Sequence, residues 1–217
     1  MSRLRDCSPA GRPPVPSFAN LARIRRRARA LRHSAGGRMS DVTIILPLPR
    51  TEAGAALQLR PWRAEDLPVL VAAHRDPLMR RQLTTSLVDE GEARRWLDAQ
   101  VSGWESATRF SFAVVGDDDL PLGHVVVKVR GAGTAEVGYW TAAPARGRGI
   151  AARALETTSR WAFGAQRLNR LDLLHAEDNP ASCRVAEKCG YVLREVLPPA
   201  PPEFPGSGHR HVRDAAA

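Results

Sequence analysis

Lysine, cysteine and long apolar runs are what this chain has least of. Only Lys128 and Lys188 stand against thirty arginines, a bias that reads as GC-rich coding, so the arginine count by itself assigns no function. The three cysteines, Cys7, Cys183 and Cys189, are odd in number and lack the paired short spacings of a zinc site or a disulfide framework. That excludes a disulfide-stapled secreted module and fits a reducing compartment. No run approaches the ~18 apolar residues of a membrane span, and the leader lacks the apolar centre of a secretory signal. The expectation is a cytoplasmic protein with no membrane attachment and no metal. No internal repeat is seen.

What is present is one domain's worth of chain. A length of 217 residues holds one full core and is short for two. The formal charge of +9 is concentrated rather than spread. Residues 1–38 carry ten arginines and one acid, Asp6, which accounts for the whole excess and leaves 22 basic and 22 acidic residues in the remainder. A neutral body argues against a nucleic-acid partner. The leader, 1–40, mixes Pro13, Pro14 and Pro16 with an arginine-dense stretch over 23–32. It reads as a disordered basic arm, as a transit peptide, or, the preferred reading, as sequence upstream of a true start at Met39.

From Leu57 the pattern is that of a mixed α/β domain running to about residue 213. Strands are expected at 57–61, 111–115, 122–129, 134–140, 170–174, 191–196 and 209–213, and helices at 64–74, 89–104, 149–163 and 180–189. Asp89, Glu90 and Glu92 suit the positive end of the second helix. Asp117, Asp118 and Asp119 read as a solvated turn. In the strand at 134–140, period-two geometry puts Glu136, Gly138 and Trp140 on one face and Ala135, Val137 and Tyr139 on the other.

The most informative segment is Arg146-Gly147-Arg148-Gly149-Ile150-Ala151, after a strand and at the start of an amphipathic helix. A helix start leaves several N–H groups without partners and carries partial positive charge; glycines let a diphosphate reach the main chain, and two arginines strengthen the field. The segment lacks the ending of a Walker loop and the three-glycine spacing of a Rossmann fingerprint. The bland alternative is a glycine turn with arginines in solvent.

Arg146, Gly149 and Ala151 match the [Q/R]-x-x-G-x-[G/A] signature of the GNAT N-acetyltransferases, which this segment therefore resembles. Asn179-Pro180-Ala181-Ser182 and Glu187-Lys188-Cys189-Gly190-Tyr191 resemble the N-x-x-S and EK-x-G-[FY] pattern of that family's Rim-type ribosomal-protein branch. The resemblance covers about residues 57–196. It implies a central, mostly antiparallel, splayed sheet with helices on both faces, and acetyl-CoA in the cleft between the two middle strands. It further implies direct transfer of acetyl to a primary amine without a covalent enzyme intermediate.

Carried over residue by residue, the resemblance places Trp140 and Thr141 beside the thioester and pantetheine through their main chain. It places Arg146, Gly147, Arg148, Gly149, Ile150 and Ala151 around the diphosphate, Asn179 on the pantetheine arm, and Ser182 as donor to the departing thiolate. The tyrosine that many relatives use as acid falls here on Ala186. Glu136 is the best carboxylate for a base. Asn179 and Ser182 also read as a helix cap and a first-turn polar residue, and Glu136 also reads as a solvated glutamate. Tyr191 reads as a core aromatic, Cys183 and Cys189 as buried small hydrophobes, and His175, His209 and His211 as capping or surface residues. Trp62, Arg80, Arg81 and the segment 198–205 are candidates to line the acceptor cleft. The expected partner is an amine substrate, a protein N-terminus first and a small molecule second, for a monomer or homodimer. An acyl-CoA-binding sensor without catalysis is the rival reading.

Overall fold

The computed structural model describes residues 44–49, 56–83, 85–201 and 204–216; the leader at 1–40 and the Met39 start lie outside them. Its helices are α1 (Leu67–His74), α2 (Pro77–Gln82), α3 (Glu90–Glu105), α4 (Ile150–Ala165) and α5 (Pro180–Lys188). Its strands are β1 (Leu46–Pro47), β2 (Gln58–Pro61), β3 (Arg109–Val115), β4 (Pro121–Gly131), β5 (Thr134–Thr141), β6 (Arg170–Ala176), β7 (Val192–Leu197) and β8 (Gly208–Asp214). They form one sheet in the order β1-β2-β3-β4-β5-β6-β8-β7. All neighbours are antiparallel except β5 and β6. A parallel pair needs a long crossover, and α4 supplies it. The mixed, mostly antiparallel sheet expected from the sequence is what is found. Among the described residues no helix is long and apolar enough to cross a membrane.

Two cores lie on opposite faces of the sheet, and strand alternation sorts residues between them. Phe110, Phe112 and Val114 of β3 join Val125, Val127, Ala135 and Val137 under α4, which contributes Ile150, Ala154, Leu155 and Ala162. Ala113 and Val115 join Trp140 under Leu67, Leu70 and Val71 of α1 and Ala93 and Leu97 of α3. Because both faces are covered, β3 is buried without a break from Phe110 to Val115, Ser111 included, rather than on alternate residues. Full burial of a leucine such as Leu155, 0% exposed, contributes about 1.5–3 kcal/mol. Tyr191 is a core residue as expected, 1% exposed, with its hydroxyl 2.7 Å from that of Ser159.

The aspartate turn is exposed at Asp117, Asp118 and Asp119, as expected, and does more than turn the chain. It is an anchor: Asp119 accepts from Arg60 Nε at 2.7 Å and its carbonyl accepts from Arg60 Nη2 at 2.8 Å. Arg60 is 2% exposed and also pairs with both oxygens of Asp66. A guanidinium taken out of water needs such partners, since removing one partner of a buried pair costs about 3–5 kcal/mol. The sequence pattern also did not anticipate β1 or α2.

Candidate active site

The strands β5 and β6 pair from Thr134↔Arg170 to Val137↔Leu173 and then part. Beyond that point Gly138–Thr141 pair only with β4, and Leu174–Ala176 only with β8. The parting opens a cleft whose walls are two strand edges that no longer pair with each other. One wall ends in the glycine loop and the start of α4. The other ends in the turn before α5.

At the first wall, Gly147 and Gly149 have φ of +76° and +69°, a left-handed conformation that costs a side-chain-bearing residue strain. A Cβ at either would meet nothing within 4 Å, so the space before the loop is open. Gly149 caps α4 without any side-chain cap, and the helix's hydrogen bonding begins with Arg153 N–H donating to Gly149 O. The first amides of a 16-residue helix are thus left without intrahelical acceptors at its positive end. That is an anion cradle built from main chain.

At the second wall, Asn179 caps α5 by accepting from Ser182 N–H at 3.2 Å, and its Nδ2 donates to Gln82 Oε1 at 3.2 Å. Ser182, half-buried, faces Tyr139 on β5. Burial pushes the Tyr139 phenol up to about 12, partly offset by the Ser182 side chain, yet no hydrogen bond of good geometry satisfies the hydroxyl. At neutral pH it stays protonated, with the Ser182 side chain beside it.

The profile of the acetyltransferase (GNAT) domain family matches residues 56–192, the stretch that holds both walls of this cleft. The chain belongs to the GNAT acetyltransferases. No curated protein matches it. Among solved structures, RimL, a ribosomal alpha-N-protein acetyltransferase in complex with coenzyme A, aligns with a TM-score of 0.71 at 17% identity over 79% of this chain and 98% of its own. Mycobacterium smegmatis RimJ in complex with a CoA disulfide aligns with a TM-score of 0.70 at 20% identity over 80% and 88%. The microcin C7 self-immunity acetyltransferase MccE, in complex with acetyl-CoA and AMP, aligns at 0.66 and 16% identity over 73% and 92%. At these identities the likeness is one of fold.

Within the GNAT domain the residues singled out from sequence do not all stand alike. Arg146 is turned back: its Nε donates to Thr141 O at 3.2 Å and its guanidinium pairs with Asp76, whose carboxyl it holds below the usual range. It braces the loop from behind, while Arg148 is exposed. Ile150 is 3% and Trp140 9% exposed, both with their side chains packed in cores. Trp62, 3% exposed, is a core residue whose indole N–H donates to His124 Nδ1 at 2.9 Å; it does not line the cleft. Glu136 lies in the still-paired part of β5, accepting from Lys128 at 2.6 Å and Arg130 at 2.6 Å. Burial alone would raise its carboxyl, but these two cations hold it below the usual range, which weakens it as a proton acceptor.

Three features were missed. The helix α2 ties the two walls together: Asp76 at its start holds Arg146, while Arg81 pairs with Asp178 at 2.6 Å and Gln82 holds Asn179. Asp76-Pro77, an N-cap followed by proline at the first helical position, was the available signal. Tyr139 was assigned correctly to its face but not to Ser182, which no local pattern shows. The third is a cluster of His175, Cys183, His209 and His211, in which His211 is 1% exposed rather than the surface residue expected.

Proposed function

We propose that this GNAT domain transfers acetyl from acetyl-CoA to a primary amine, with the α-amine of a protein N-terminus as the first acceptor class. The observation that carries the reading is the cleft between β5 and β6, with the uncapped start of α4 at one end and the Ser182–Tyr139 pair at the other. Acetyl-CoA supplies the acyl group as a thioester. The amides around Gly147, Arg148, Gly149, Ile150 and Ala151 would hold its diphosphate, reinforced by the positive end of α4. The free edge of Gly138–Thr141 would hold the pantetheine arm and, through the Trp140 and Thr141 main chain, polarise the thioester carbonyl. Asn179 stands at the opposite side of the arm with its oxygen already spent on the α5 cap.

Ser182 donates a hydrogen bond to the departing sulfur, and the Tyr139 hydroxyl, kept protonated by burial, supports Ser182 as donor. Glu136, paired to two cations, is the weaker part of the original expectation, and the ammonium proton passes to water in the open cleft instead. Preference for protein N-termini is supported by the likeness to RimL, a ribosomal alpha-N-protein acetyltransferase; acetylation of a small amine is the second reading, and the likeness to MccE, a microcin self-immunity acetyltransferase, keeps a non-ribosomal acceptor in view. The deciding experiment is release of free CoA thiol from acetyl-CoA against N-terminal peptides and small amines, with wild-type protein and Ser182→Ala. Peptide-dependent release that falls in the variant supports the reading. Tight CoA binding with no release against any amine sinks it in favour of a sensor.

A further inference from the structure

Outside the transfer machinery, four side chains from three elements converge. His175 is the last residue but one of β6, Cys183 lies in the first turn of α5, and His209 and His211 stand two apart on β8, hence on one face of it. His175 is the direct cross-strand partner of His209. One ligand atom from each of the four lies within 4.8 Å of all the others. Cys183 Sγ is 3.6 Å from His175 Nε2 and 3.3 Å from His209 Nδ1. Tetrahedral zinc, with bonds of about 2.3 Å to sulfur and 2.0–2.1 Å to nitrogen, sets sulfur and nitrogen ligands ~3.6 Å apart.

Two details distinguish this cluster from histidines that merely pack. His175 Nδ1 lies 2.8 Å from Ala176 O; a carbonyl only accepts, so the proton sits on Nδ1 and the Nε2 lone pair is left facing Cys183. His211 is buried, and neither of its ring nitrogens has a hydrogen bond of good geometry, although the Tyr191 main chain lies beside it. A buried polar nitrogen without a partner is costly, and a metal ion would satisfy it. The other three residues are half-buried, so an ion has a way in.

We propose that His175, Cys183, His209 and His211 bind one zinc ion in a closed, structural site. Three imidazoles and a thiolate suit zinc and not the oxygen-seeking magnesium or calcium. Four protein ligands complete the tetrahedron and leave no position for substrate. Binding replaces the waters of the ion and releases the Cys183 thiol proton to solvent. The ion clamps the first turn of α5 to β6 and β8, and so fixes the wall that carries Ser182. The site does not depend on the acyl-transfer reading.

The test uses the untagged full-length chain, stripped with EDTA, freed of chelator and titrated with Zn(II) or Co(II) alone. The expected result is one ion per chain, bound with a Kd on the order of nanomolar or below. With Co(II), strong visible bands of a tetrahedral ion and a thiolate-to-cobalt charge-transfer band should appear. Cys183→Ser should abolish the charge-transfer band, and both it and His209→Ala should weaken zinc by ~100-fold or more. The two variants stand on different elements, so if one fails to fold the other decides. No binding at micromolar zinc, a pale octahedral cobalt spectrum, or unchanged affinity in the folded variants overturns the proposal.

Discussion

The two walls of the cleft are built on different principles. The β5 wall works through main chain: an unpaired strand edge, two left-handed glycines and the uncapped start of α4, where side chains matter mostly by being absent. The β6 wall works through side chains gathered from far apart, with Ser182 and Asn179 on α5, Gln82 and Arg81 reaching in from α2, and three histidines with Cys183 beneath. A main-chain site tolerates most substitutions that keep the backbone path. A side-chain site fails one residue at a time.

The sharpest break in that contrast is a charge placed in the cradle. Gly149→Asp should weaken CoA by ~100-fold, since a like charge beside the diphosphate costs about 3 kcal/mol. Thermal stability should fall only by about 1 kcal/mol, because aspartate is strained in the left-handed region but tolerates it better than most residues and favours a helix start. Calorimetry of CoA binding against a melting curve reads both, and a much larger loss of stability would show that the loop, not the anion site, had been damaged.

On the other wall, Ser182→Ala should lower kcat ~10-fold with little change in the KM for acetyl-CoA, the worth of one hydrogen bond to a charged group. Tyr139→Phe removes a buried hydroxyl that has no well-formed partner, so the protein should melt no lower, while kcat falls about threefold if that hydroxyl supports Ser182. Steady-state rates at saturating acetyl-CoA separate these. An unchanged kcat in Tyr139→Phe would return that residue to the core alone.

Smaller effects are expected from the braces. Arg81→Ala breaks an exposed pair, 71% and 52% exposed on its two sides, and should cost under about 1 kcal/mol, visible mainly as a modest rise in KM. Glu136 has a folded-state pKa below its unfolded one because of Lys128 and Arg130, although burial opposes them. Its contribution to stability is therefore full above the unfolded value and lost as pH falls through the folded one. Glu136→Gln should flatten that acid limb in melting curves across pH, with little change in kcat; a collapse in kcat would restore Glu136 to the chemistry.

How much was legible beforehand follows from the same contrast. Arg146 to Ala151 could be read because a glycine-rich helix start is a contiguous pattern whose chemistry lies in the backbone. Even there the pairing of the Arg146 side chain could not be seen, since its partner Asp76 stands seventy residues earlier. The solvated aspartate turn did not show its second role as an anchor because Arg60, which takes up Asp119, is fifty-nine residues away. His175 and His211 looked like scattered surface histidines because only the β6–β8 register brings them face to face.

By itself the sequence determined the alternation of strands and helices, the two apolar faces and the glycine loop, because periodicity and turn chemistry act over a few residues. Tertiary structure alone decided where β5 and β6 part, which arginines are spent on carboxylates, that Tyr139 faces Ser182, and that three histidines and a cysteine meet. Those are long-range pairings, set by packing two cores on one sheet, and no local pattern encodes the distance between residues that the fold brings together.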